Sequence, residues 1–258
     1  MQHTEGPQWP MDTIGWVRCS ASEVGDVPSE GLPSWVEMRP EYRDALVGIE
    51  VGDHMFVVTV FDRADGSTLQ GSPGTRDAQG AFSIRSSCRP NRIGMTLSRI
   101  TEIDGLLIGF EWLDFADRTP VIDLKRYNWR WECVPSARRL DRRHFERQLD
   151  LATLARVLAR PARNFHGEDC AWVSRCGRLA AQLVLDENLW WGDPGLRIRV
   201  SGDEHLVESI QGLTGATVGN GRLTRAGDSS QPTVVIEGPA SIVAAWNGER
   251  WATAKPRS

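Results

Sequence analysis

Between Ile14 and Glu132 the apolar residues fall in short runs broken by Gly, Asp and Pro. Met55–Phe61, Ile93–Ile100, Leu106–Trp112 and Val121–Tyr127 have the length and residue types of strands, so the pattern predicts antiparallel β structure rather than βαβ units. Asp104-Gly105, between Ile103 and Leu106, predicts a two-residue hairpin turn. The period changes after Pro135. From Leu140 to Leu158, apolar Leu149, Leu151, Leu154, Val157 and Leu158 fall near helical spacing, and Asp141, Arg142, Arg143, Glu146 and Arg147 fill the early turns. Pro161 is expected to end that helix. Further helices are predicted over Val173–Leu185 and Leu206–Leu213, and strands over Arg197–Val200 and Thr233–Ile236. The chain is therefore read as α+β in two parts. Residues 1–12 form a flexible lead, 13–140 a β-rich domain, 141–160 a connecting helix and 161–258 an α+β domain, with the boundary near 137–145.

Composition sharpens this picture in four places. No apolar run approaches the roughly 18–20 residues that span a bilayer, and Met1–Gly6 lacks the basic and apolar regions of a secretory signal, so no membrane association is expected. Five cysteines, an odd number without regular pairing, fit reduced thiols and a cytoplasmic location. Residues 1–140 carry 15 basic and 20 acidic side chains, and residues 141–258 carry 15 and 14. Proteins that grip RNA phosphates usually show a basic footprint, which the first half lacks on average. Eleven tryptophans against two tyrosines are read as core and interface filling.

The stretch with the most chemistry is Gly80–Gly94. An apolar strand end runs into Arg89-Pro90-Asn91, and a second strand leaves through Ile93-Gly94. Proline fixes φ and asparagine tolerates the left-handed region, so a tight, rigid turn is expected there. Arg85 and Arg89 flank it with forked donors that suit a carboxylate or a ring edge. The residues alone leave two readings open, a polar hairpin and a ligand loop.

Taken with Asp117-Arg118-Thr119-Pro120-Val121-Ile122-Asp123-Leu124-Lys125-Arg126-Tyr127, with Ile14–Arg18 and with Ala45–His54, this loop resembles the TsaA/TrmO family of S-adenosylmethionine-dependent methyltransferases. The resemblance covers roughly Thr13–Ser136. It implies a small antiparallel β-barrel, an S-adenosyl-L-methionine site near a dimer interface, and hence a homodimer. It assigns Phe82, Ser83, Arg85, Arg89, Pro90, Asn91 and Gly94 to the donor loop, and Asp117, Thr119 and Pro120 to the turn facing it. Asp117 and His54 become the candidate catalytic groups, His54 as a base whose pKa lies near neutrality; a histidine bonded to backbone at a strand start is the other reading of that residue. The chain departs from the family where Arg126 replaces a proline and Arg118 a glycine. The usual Arg/Pro-rich loop is here the nearly uncharged connector Ala64–Gly74.

In the second half, His166-Gly167-Glu168-Asp169-Cys170 and Glu208–Gly221 resemble the FmdE family, which implies an FmdE-like α+β domain over roughly Phe165–Leu223. Histidine and cysteine are both good zinc ligands. His166, Cys170 and His205 could form a three-ligand site for zinc or another divalent metal, with Glu168 or Asp203 as a further ligand or orienting group. The alternative is a degenerate site whose members only satisfy local hydrogen bonds. Cys88, Cys133 and Cys176 read as small structural residues.

The resulting functional expectation is an S-adenosylmethionine-dependent methyltransferase. The acidic first half and the altered connector favour a small-molecule acceptor. The family precedent is a tRNA adenosine methylated on nitrogen. Transfer or ring closure of the aminocarboxypropyl arm, releasing methylthioadenosine, is a second enzyme class. A donor- or metal-sensing binding protein is the non-enzymatic one.

Overall fold

The computed structural model describes residues 10–66, 68–71, 78–137, 139–238 and 241–255. The lead expected over 1–12 lies outside the described residues as far as residue 9, as does the connector from 72 to 74. The chain divides into two units, Met1–Cys133 and Val134–Ser258.

The first unit is a closed barrel. Its strands are β1 (Gly15–Arg18), β2 (Leu32–Met38), β3 (His54–Val60), β6 (Ile93–Asp104), β7 (Leu107–Leu113) and β8 (Pro120–Arg126), and the two-residue strands β4 (Gln70–Gly71) and β5 (Gln79–Gly80) pair outside it. The order round the barrel is β1-β2-β7-β6-β3-β8, antiparallel throughout. Period-2 alternation sets what faces inward: Met55, Val57 and Thr59 on β3 are buried, as are Gly94, Thr96, Ser98 and Ile100 on β6. The register Val57↔Thr96 and Thr59↔Gly94 puts these rows side by side. One stretch of the interior is apolar, with Val36, Met38, Met55, Ile100, Ile108 and Phe110. Elsewhere the inner wall carries the buried hydroxyls of Ser34, Thr59, Thr96, Ser98 and Thr119. A bulge where β3 meets β8, between Val58 and Thr59, bends the strand at that point.

The hairpin between β6 and β7 turns one residue later than its sequence suggests. Asp104 pairs with Leu107, so the loop is Gly105-Leu106, with Gly105 at φ 61° and Leu106 at negative φ. That is the geometry of a type II′ turn, whose first position needs glycine.

The one-turn helix α1 (Trp129–Glu132) closes the first unit, and α2 (Arg143–Glu146) opens the second. They are followed by α3 (Leu151–His166), α4 (Ala171–Glu187), β9 (Arg197–Ser201), α5 (Glu204–Thr214), β10 (Leu223–Arg225), β11 (Thr233–Glu237), β12 (Ile242–Trp246) and β13 (Trp251–Ala254). The sheet runs β10-β9-β11-β12-β13, with only the β10–β9 pair parallel. Leu179, Leu183, Leu206 and Ile210 from the helices and Ile198, Val200, Val234 and Ile236 from the strands share one core. A Cβ on Gly177 would lie 2.5 Å from the Ala155 carbonyl oxygen and 2.7 Å from Ala159 Cβ, so glycine lets α4 cross α3 at backbone contact.

The single helix expected over 141–160 is two elements, and the division between units falls at 133/134 rather than within 137–145. Asp150 caps a new helix by accepting from Ala152 N and Thr153 N at 2.9 and 3.0 Å. Pro161 does not end α3, which continues to His166. Proline removes one backbone donor, but Leu154 and Ala162 on either side of it are fully buried, and that packing carries the helix onward. Gly167, at φ 91°, is the actual stop. Among the described residues, no helix is long and apolar enough to cross a membrane.

Candidate functional site

β6 leaves the Arg-Pro-Asn turn and carries the wall of a cavity of about 320 Å³. Phe82, Arg85, Arg89, Asn91 and Gly94, all assigned from the sequence to the donor loop, line it together. Ser83 and Pro90 do not reach the cavity but shape its rim. Ser83 Oγ donates to Gly80 O at 2.8 Å, and Pro90 occupies the first central position of a turn closed by Arg92 N→Arg89 O at 2.9 Å. The left-handed residue of this turn is Arg92, at φ 51°, and not Asn91 as the sequence suggests. A turn with both central residues at negative φ followed by a left-handed residue reverses the chain without needing asparagine's tolerance.

The cavity holds both signs of charge beside an apolar face. The Arg85 guanidinium donates to the Met95 carbonyl. The Arg89 guanidinium has no partner among the described residues, which leaves its fork for a ligand carboxylate. Asp114 lines the same cavity, with one carboxylate oxygen accepting from the Thr96 hydroxyl. Phe61, Phe82, Met95 and Phe115 supply apolar lining; Phe82 is 82% exposed. Phe61 and Phe115 pack on one another with ring centroids 5.9 Å apart.

Asp114, Thr96, Phe61, Met95 and Phe115 were not singled out in the sequence. Strand alternation was the signal available for Thr96, which shares the inner face of β6 with Gly94. Asp114 and Phe115 stand just before the Asp117–Pro120 segment.

That segment borders two neighbouring cavities rather than the first. Thr119, 5% exposed, lines one of about 260 Å³ that shares Phe61 with the Arg-Pro-Asn cavity, and its hydroxyl donates to Ala116 O at 2.8 Å. Asp117 lines another of about 480 Å³ with Ser22, Glu23, Asp62, Arg63 and Arg118. Its carboxylate accepts from Cys19 N at 3.2 Å and lies 3.6 Å from Arg118 Nε. Burial pushes the Cys19 thiol up in pKa, a backbone hydrogen bond at Ala21 opposes this and the Asp117 charge adds to it, so the protonated thiol is favoured. Pro120 opens β8 opposite Trp16, a strand position that needs no backbone donor, and lines none of these three cavities.

Arg118 sits at φ 63°, where glycine is at ease and arginine is strained. With its side chain 79% exposed, the contact to Asp117 offsets little of that strain. Arg118→Gly is expected to stabilise the first unit by about 0.5–1 kcal/mol, measured by chemical denaturation.

His54 is not brought to this end. It pairs with Arg99 at the start of β3, three residues before Val57↔Thr96, where the cavity lining on β6 begins; that is roughly 10 Å along the strand at about 3.3 Å per residue, and His54 does not line the cavity. Burial of its ring, reinforced by the nearby Arg99 charge and opposed by Asp53, lowers its pKa. In the second unit, His166, Cys170 and His205 do come together, with one ligand atom from each lying within 4.8 Å of the others.

Residues 25–133 match the tRNA-methyltransferase O N-terminal domain family. The chain is 31% identical over 221 residues to a probable S-adenosyl-L-methionine-binding protein of Archaeoglobus fulgidus, covering 81% of this chain and 59% of that one. The chain thus spans about 59% of the length of this relative, and the match extends well past the first unit. An S-adenosyl-L-methionine-binding protein of the same organism is 34% identical over 126 residues, 47% of this chain and 91% of its own length. The tRNA (adenine(37)-N6)-methyltransferase of Escherichia coli is 34% identical over 107 residues, 36% of this chain and 44% of that enzyme. A barrel whose Arg-Pro-Asn turn frames a cavity of mixed charge, matched over its length by S-adenosyl-L-methionine-binding relatives, places this chain in the TrmO family of S-adenosyl-L-methionine-dependent methyltransferases.

Proposed function

We propose that the protein transfers the methyl group of S-adenosyl-L-methionine to a small-molecule acceptor at the Arg-Pro-Asn cavity. The observation that carries donor binding is that an Arg89 without a partner among the described residues and the Asp114 carboxylate line the same partly apolar cavity. The donor is a zwitterion with a flat base. Arg89 and Arg85 suit its carboxylate, Asp114 its ammonium group, and Phe82 and Met95 its ring face. When bound, the donor supplies its own electrophilic methyl carbon. The chain's residues then have to align an acceptor with it and exclude water, which is catalysis by positioning.

The neighbouring cavities support a small acceptor. Arg63 and Arg118 lie against Asp62 and Asp117, so the basic side chains there are largely offset by acidic ones. A phosphate-tracking surface would need unopposed cations, together with faces for stacking bases. The second reading, a tRNA adenosine acceptor, is favoured by the named activity of the Escherichia coli relative matched over the barrel. Methyl-labelled donor with the full chain separates them. Label in the low-molecular-weight fraction, with adenosylhomocysteine as co-product, is expected. Label in nuclease-sensitive tRNA would establish the second reading instead, and methylthioadenosine as co-product would point to chemistry on the aminocarboxypropyl arm. We further infer a homodimer in the cytoplasm, supported by the exposed Phe82 and Met95 at the cavity rim and by five free cysteines. We also propose that the second unit is FmdE-like, a reading supported by the His166–Cys170 and Glu208–Gly221 motifs.

A further inference from the structure

We propose that the second unit holds a zinc ion on His166, Cys170 and His205, with Glu208 orienting His166 and the fourth coordination position taken by water. The three ligands come from three different helix ends. His166 is the last residue of α3, Cys170 is the N-cap of α4, and His205 is in the first turn of α5. The connection from α3 to α4 is only Gly167–Cys170. A forked ion pair braces it, Arg163 donating to the two Asp169 oxygens at 2.7 and 2.6 Å. The start of α5 is tied to α4 by Trp172 Nε1, which donates to Asp203 Oδ2 at 2.8 Å, while Asp203 Oδ1 caps α5 through Leu206 N at 3.0 Å. Asp203 is thus occupied as a cap and anchor, and the group that orients the histidine is Glu208, one α5 turn beyond His205.

The hydrogen bonds fix which lone pairs are offered. His166 Nδ1 lies 2.6 Å from Glu208 Oε2, and the His166 side chain is only 4% exposed. The carboxylate can only accept, so Nδ1 carries the proton and Nε2 presents its lone pair inward. This is the carboxylate–histidine pairing that sets ring orientation and basicity in zinc sites. His205 Nδ1 is 3.0 Å from that Nε2. Two ring nitrogens so close share either a proton or a cation. Without metal, His205 donates its Nδ1 proton; with metal, it moves to the Nε2–H tautomer and both inward nitrogens bind the ion. Cys170 Sγ makes no capping hydrogen bond at the α4 N-terminus. Binding therefore releases the thiol proton to solvent and forms two metal–nitrogen bonds and one metal–sulfur bond. Two imidazoles and a thiolate select zinc over oxygen-seeking calcium or magnesium, and three protein ligands leave one position open. His205 is exposed, so that position is reachable by solvent.

The test uses the full chain without an affinity tag, stripped by a chelator and titrated with cobalt(II) as a spectroscopic probe and with zinc. About one ion per chain is expected, with a thiolate-to-cobalt charge-transfer band and the intense visible bands of four-coordinate cobalt. Cys170→Ser should abolish the charge-transfer band. Glu208→Gln, which removes no ligand, should weaken zinc binding about 10–100-fold. Should Cys170→Ser fail to fold, zinc must still protect Cys170 of the unmodified chain from alkylation. No thiolate–cobalt band, unprotected Cys170, or unchanged zinc affinity in both Glu208→Gln and His205→Ala would each overturn the proposal.

Discussion

Replacing Arg89 by alanine is expected to raise the dissociation constant for S-adenosyl-L-methionine about 10–100-fold, because a hydrogen bond to a charged group contributes about 1.5–3 kcal/mol. Arg89 is the better target of the two cavity arginines. The Arg85 guanidinium is bonded to the Met95 carbonyl, so removing it also disturbs β6. That of Arg89 touches no other described polar group, so its loss should be felt by ligand and not by fold. Arg89→Lys should recover only part of the affinity, since an ammonium cannot match the two-point contact of a guanidinium with a carboxylate. Calorimetry on the full chain, with thermal unfolding as control, reads both quantities. An unchanged dissociation constant with an unchanged unfolding profile would remove Arg89 from the donor site.

How much of this was legible follows from how local each signal is. β3, β6, β7 and β8 announce themselves because each is a short run rich in apolar, β-branched and aromatic residues bounded by turn residues, and a strand needs only its own sequence to do that. β2 does not: Pro33 interrupts it, and its inward row begins with Ser34, so the hydrophobic contrast between its faces is weak. The sequence ends α3 at Pro161 because proline's local penalty is visible in sequence and the burial that carries the helix on to His166 is not. The donor loop was readable as a unit since Arg85, Arg89, Asn91 and Gly94 are close in sequence. Asp114 was not, because it reaches the loop only through the register of a closed barrel, and its bond to Thr96 joins residues 18 positions apart. The same limit applied in the second unit. His166 and Cys170 could be linked by spacing, and His205 by chemical analogy, but Glu208 emerges as the orienting group only when α5 packs against the end of α3.

Gly94→Ala is expected to destabilise the first unit by about 1–3 kcal/mol, the range for overfilling a packed interior. A Cβ there would sit 2.5 Å from Thr59 Oγ1, 2.7 Å from Phe61 Cζ and 2.8 Å from Phe115 Cε1, all far inside van der Waals contact. The neighbours have little room to yield. Thr59 is fully buried, and Phe61 and Phe115 brace each other while forming part of the cavity lining. A stability loss should therefore come with weaker donor binding, as the displaced rings narrow the cavity. The pairing with Thr59 gives a way to isolate the cause. Thr59 Oγ1 has no hydrogen-bond partner among the described residues, so Thr59→Ala forfeits no bond while removing the nearest clashing atom. The double variant Gly94→Ala/Thr59→Ala should then be more stable than the sum of the two single changes predicts, with a coupling of about 0.5–3 kcal/mol in a denaturation cycle. Strict additivity would mean that the strain at Gly94 is relieved elsewhere, and that the Thr59–Gly94 register does not set the wall of the cavity.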